Sequence, residues 1–115
     1  MDALINNKGE KVASFLKNWI IDVKTDDVLG VVLGQCVFNR HGKVCGRLFK
    51  STLRNLAGEK MATLKPGGDP SKEPNLPDLM NHAWEIISNI EDHTCPSVDE
   101  KEVWSTISFQ RFLHT

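Results

Sequence analysis

The sequence predicts an all-α protein, a compact bundle of about five helices with a Pro/Gly-rich loop between a basic N-terminal half and an acidic C-terminal half. Three observations predict it. Apolar residues recur at i, i+3, i+4 and i+7 in two long segments. Five basic residues in the middle of the chain are spaced 3, 4, 3 and 4 apart. Capping residues and glycines stand where helices would start and stop.

The elements follow in order. Gly9 to Val23 reads as an amphipathic helix, with Val12, Phe15, Leu16, Trp19, Ile20 and Val23 on one side and Lys11, Lys17 and Asp22 on the other. Thr25 followed by Asp26 and Asp27 suits a helix start, because a hydroxyl caps and two acids face the positive end of the macrodipole. The run Val28 to Phe38 is apolar on nearly all sides, as in a central helix. Its valines also favour a strand, so the alternative is a hairpin turning at Asn39–Gly42 into Val44–Phe49.

Arg40, Lys43, Arg47, Lys50 and Arg54 come next. On a helix they would share an arc of roughly 80° and form one basic ridge about 21 Å long. Gly58 is the expected stop. Residues 65–77 carry the prolines and glycines of a linker or long surface loop. Leu76 to Asp92 reads as a second amphipathic helix on Leu76, Leu79, Met80, Ala83, Trp84, Ile87 and Ile90. Ser97-Val98-Asp99-Glu100 matches a capping box and would open a last helix with Val103, Trp104, Ile107, Phe112 and Leu113 inward. No internal repeat of 20–50 residues is apparent.

The 115 residues leave room for one domain: a basic helical half (1–64), the loop (65–77) and an acidic helical half (78–115) that packs back on the first. Net charge is −1, but residues 1–65 hold 11 bases against 6 acids and residues 66–115 hold 3 against 9. Such a dipole steers anions to one end, or pairs one molecule with another. No apolar stretch is long enough for a membrane-spanning helix. No secretory leader is visible at the start of the sequence. Three cysteines, an odd number without a framework of spacings, read as reduced thiols. The expected setting is therefore intracellular, cytoplasmic or nuclear.

Catalytic motifs are absent: there is no Gly-x-Ser-x-Gly elbow, and Gly67-Gly68 is not followed by the Lys of a phosphate loop. Asp78, His82 and Glu85 read as a surface charge cluster on a helix. Cys36-x4-His41-x3-Cys45, with His93-x-Cys95, has ligand types suited to zinc but lacks a Cys-x2-Cys pair, so buried structural thiols are the preferred reading and no metal or cofactor is expected. Trp19, Trp84 and Trp104 fall on apolar stripes and read as core.

The functional expectation is a non-enzymatic interaction protein. It would bind a polyanion, nucleic acid or an anionic surface, through Arg40, Lys43, Arg47, Lys50 and Arg54. The alternative is a protein-interaction or self-assembling module in which the basic half of one molecule meets the acidic half of another or of an acidic partner.

Overall fold

The protein folds as eight short strands and two helices; the computed structural model describes residues 2–66, 76–91 and 94–113. The strands are β1 (Asp2–Ile5), β2 (Lys11–Leu16), β3 (Trp19–Ile21), β4 (Val28–Leu33), β5 (Cys36–Asn39), β6 (Val44–Phe49), β7 (Thr52–Asn55) and β8 (Lys60–Lys65). Each pairs antiparallel with the next, and β8 returns to pair with β1, so the sheet closes into a barrel without edges.

The barrel is assembled from four copies of one hairpin. Leu4, Ile20, Val37 and Leu53 lie 16, 17 and 16 residues apart, and all four are fully buried. Opposite them across the hairpins stand small residues, Ala13, Gly30, Gly46 and Ala62. A register shift follows each large residue, between Leu4/Ile5, Ile20/Ile21, Val37/Phe38 and Leu53/Arg54. Such bulges increase the local twist and help a small sheet curl shut. They also draw carbonyls inward. A side chain at Gly46 would drive its Cβ into the Arg54 carbonyl, and one at Gly30 would meet the Phe38 carbonyl. The repeat is thus about 16 residues long, shorter than the 20–50 window in which none is apparent.

The long loops of the four hairpins share one end of the barrel. Each begins with Asn6, Asp22, Asn39 or Asn55, whose side-chain Oδ1 accepts two backbone N–H groups of its own loop. The tight turns share the other end. At Lys17-Asn18 and Lys50-Ser51 both residues are left-handed (φ 51° and 68°, 50° and 61°), the conformation that matches the twist of a two-residue hairpin.

The lumen is packed with side chains. Leu4, Ile20, Val37 and Leu53 form its middle, Phe15 and Val32 lie toward the turns, and Leu29, Cys45 and Met61 lie toward the loops. Outside, α1 (Leu76–Asn89) lays Leu79, Ala83, Ile86 and the following Ile90 against Ile21, Val28, Val31 and Phe38. The chain then returns along the barrel. A disulfide joins Cys95 to Cys36, residues 98–105 run past Gly58 and Lys60, and α2 (Phe109–Leu113) inserts Phe109, Phe112 and Leu113 into the lumen cluster. α1, residues 98–105 and α2 thus all contact the barrel.

These findings correct the expected all-α bundle. Gly9–Val23 forms β2, a turn and β3, and Val28–Phe38 forms β4 and the start of β5. Of the hairpin alternative, turning at Asn39–Gly42 into Val44–Phe49, the β5–β6 hairpin is found, while the preceding run divides into β4 and β5. Two features hid the strands. β4 and β5 are covered on both faces, by the lumen and by α1, so their apolar residues do not alternate. The bulges shift the alternation in every hairpin. The helix over 76–92 is present as Leu76–Asn89, but Leu76, Met80 and Trp84 stay exposed, Trp84 by 60%, so that indole is not core. The helix expected from Ser97 is replaced by an extended path and the short α2, with Val103 and Ile107 exposed. Most of the 65–77 loop lies outside the described residues.

Candidate anion-binding cleft

The five residues of the predicted ridge do not share a face. Arg40 and Lys43 are exposed around the Asn39 loop, and Lys50 is exposed in a tight turn with its Nζ over the Phe49 ring. Arg47 and Arg54 face each other across β6 and β7. Arg47 donates to Gln35 Oε1. Arg54 is only 8% exposed and donates to the carbonyls of Gly58, at 2.9 Å, and Lys101. The 3, 4, 3, 4 spacing arises from hairpin geometry: loop, strand and turn each take their share of the basic residues.

The cysteines are also placed apart. Cys36 lies on the outer face under α1, whereas Cys45 points into the lumen. The wall of the barrel separates them, so they cannot ligate one ion. Cys36 is paired with Cys95, which corrects the reading of these two as reduced thiols. Cys45 donates to the Val37 carbonyl at 3.5 Å, and burial pushes its thiol up to about 12. It is an inert core residue at neutral pH. His93 lies outside the described residues.

A different basic site opens at the loop end. A cleft of about 700 Å³ lies between the Asn6 and Asp22 loops on one side and residues 104–109 on the other. Lys8, Lys11, Lys24 and Lys60 line it. Each is set by the fold. Asn6 Oδ1 accepts from the Lys8 and Glu10 N–H groups, both at 2.9 Å, and fixes the loop that carries Lys8. Asp22 Oδ1 does the same for Lys24 at 2.7 Å and Thr25 at 3.2 Å. Lys11 is the first residue of β2. Lys60 opens β8, where its N–H donates to the Val103 carbonyl at 2.9 Å and its carbonyl accepts from Ser105 N–H at 3.0 Å. Those two bonds clamp Trp104 beside Lys60 and into the cleft wall.

The electrostatics are lopsided. Lys60 Nζ lies 3.0 Å from Glu102 Oε2, and the hydrogen bond and charge of Lys60 hold the Glu102 carboxyl below the usual carboxylate range. Among the described residues no ion pair joins Lys8, Lys11 or Lys24 to an acid. Glu10 is the carboxylate in the lining, and its Oε1 already accepts from Asn6 Nδ2 at 3.3 Å. Unpaired ammonium groups around a concave site focus field and favour an anion.

Sequence reasoning missed these four lysines because they come from four separate loops and strands. Their only trace in the sequence is the surplus of bases before residue 66. Asp78, His82 and Glu85 remain an exposed cluster on α1. No described helix is long and apolar enough to cross a membrane. Compared with known proteins, the chain matches no family model, no curated protein and no solved structure.

Proposed function

We propose that the protein is a non-enzymatic binding module that holds an anionic ligand in the loop-end cleft. The observation that carries this reading is the convergence of Lys8, Lys11 and Lys24, unpaired among the described residues, on one cavity of about 700 Å³. The volume falls in the range of small-molecule sites, about 300–1,000 Å³. The lining holds hydroxyls and one engaged carboxylate but neither histidine nor cysteine among the described residues, which favours binding over catalysis. The idea of a basic surface meeting an anion is retained, and the row that was to supply it is replaced. Charge complementarity between the halves is partly met inside one molecule, where Glu102 reaches Lys60 and lies 3.9 Å from Arg54. That internal pairing weakens the case for self-assembly driven by the same charges.

Calorimetric titration of the full chain with inorganic pyrophosphate at low ionic strength tests the reading. Binding is expected, and added salt weakens it by screening. Lys8→Gln combined with Lys24→Gln weakens it by about tenfold or more, since a lost hydrogen bond to a charged group costs about 1.5 kcal/mol. Arg40→Gln with Lys43→Gln leaves it unchanged. Absence of binding at millimolar pyrophosphate, or equal affinity in the Lys8/Lys24 variant, overturns the reading.

A further inference from the structure

The cleft is not uniformly basic. Lys8 and Lys24 come from the barrel loops and Lys11 from the start of β2, while the facing segment offers Trp104 and Ile107 among the hydroxyl residues Ser105, Thr106 and Ser108. A free phosphate would engage the lysines and leave Trp104 and Ile107 without a partner. The ligand that uses both sides carries charge at one end and a flat, poorly hydrated ring at the other.

Resting on the anion-binding reading, we propose that the ligand is a nucleotide. Its phosphates sit among Lys8, Lys11 and Lys24, and its base lies against the Trp104 indole. Three observations support this class. Trp104 is half-buried and lines the cleft, so an aromatic residue stands at the wall within reach of a ligand. The backbone on both sides of Trp104 is bonded to Lys60, which fixes the main chain that carries the indole and lowers the ordering cost of binding. The volume of about 700 Å³ holds a ring as well as phosphates, and is larger than inorganic phosphate needs. Stacking on an indole accepts any base, because every base has a π-face. Discrimination between adenine and guanine is therefore expected to be slight.

The test compares ADP with inorganic pyrophosphate on the full chain. ADP is expected to bind roughly tenfold more tightly, the gain that stacking one base on an aromatic supplies. Trp104→Ala removes the advantage of ADP over pyrophosphate, lowering ADP affinity by about tenfold more than pyrophosphate affinity. Lys8→Gln with Lys24→Gln weakens both ligands. A second measurement needs no variant at position 104: ADP shifts the Trp104 indole Nε1–H resonance by its ring current, and pyrophosphate does not. If pyrophosphate binds but ADP gains nothing over it and leaves the Trp104 resonance in place, the nucleotide class fails while the anion site stands. If neither binds, both fail. A ribose phosphate without a base that matches ADP also overturns the assignment, because the ring then contributes nothing.

Discussion

In the barrel, every strand pairing except the β1–β8 closure is with the next strand of the chain, whereas residues 94–113 find their partners far back in the sequence. The four hairpins are stabilised by ladders, by a large-on-small packing pair at every bulge, and by Asn or Asp side chains that close their own loops. The wrapping segment has little regular structure. It is held by one disulfide, by the Lys101 carbonyl that accepts from Arg54, by the Lys101 N–H that donates to the Gly58 carbonyl, and by three apolar side chains in the lumen. The wrap can add only to a surface that already exists, and the candidate cleft lies where the two meet.

The largest expected effect comes from breaking the barrel at its tightest approach. Gly46→Val places a Cβ against the Arg54 carbonyl, where neighbouring backbone must move, and its bulk also meets the Phe112 ring. A cost of about 4 kcal/mol or more is expected, enough to unfold a domain of this size. Circular dichroism and denaturant titration read it. A folded Gly46→Val with unchanged midpoint contradicts the bulge geometry.

That glycine also shows what the sequence made legible. Gly30 and Gly46 are visible in the sequence, and so is the hairpin at Asn39–Gly42. What hid the barrel was the competition between signals. Leu4, Ile20, Val37 and Leu53 carry a period near 16, but helix-like spacings of three and four run through it, because each bulge inserts a residue and breaks the period of two. The helix over 76–89 was legible because its apolar stripe is uninterrupted over four turns. The cleft was not, since Lys8, Lys24, Lys60 and Trp104 meet only after the barrel closes and the chain wraps.

A smaller effect separates wrap from barrel with an internal control. Gly9 and Gly58 both have positive φ, 79° and 87°, and occupy equivalent hairpin loops. A Cβ at Gly9 meets nothing within 4 Å, whereas one at Gly58 collides with the Asp99 carbonyl of the wrap. Gly9→Ala thus reports only the cost of a left-handed alanine, about 1 kcal/mol. Gly58→Ala carries that cost and also lifts residues 98–101 from the loop. The expected outcome is a larger loss of stability in Gly58→Ala, with raised amide exchange at Lys101, whose N–H donates to the Gly58 carbonyl at 3.1 Å. Equal losses in the two variants place the wrap outside the cooperative unit.

The smallest effect lies in Glu102, and its pH dependence shows how little the wrap owes to surface charge. Lys60 lowers the Glu102 pKa, so the pair contributes stability above the ordinary carboxylate range and loses it as pH falls through the lowered value. The Glu102 side chain is 81% exposed, where solvent screens the attraction to Lys60. Glu102→Gln is therefore expected to lower Tm slightly at neutral pH, and the difference should vanish in acid and in high salt. Arg54 behaves otherwise. Its guanidinium is buried and bonded to carbonyls that do not titrate, so its hold on the wrap persists through the same acid range. A large, pH-dependent difference between Glu102→Gln and the native chain would reverse this ranking, making the exposed ion pair rather than the buried guanidinium the main tie between barrel and wrap.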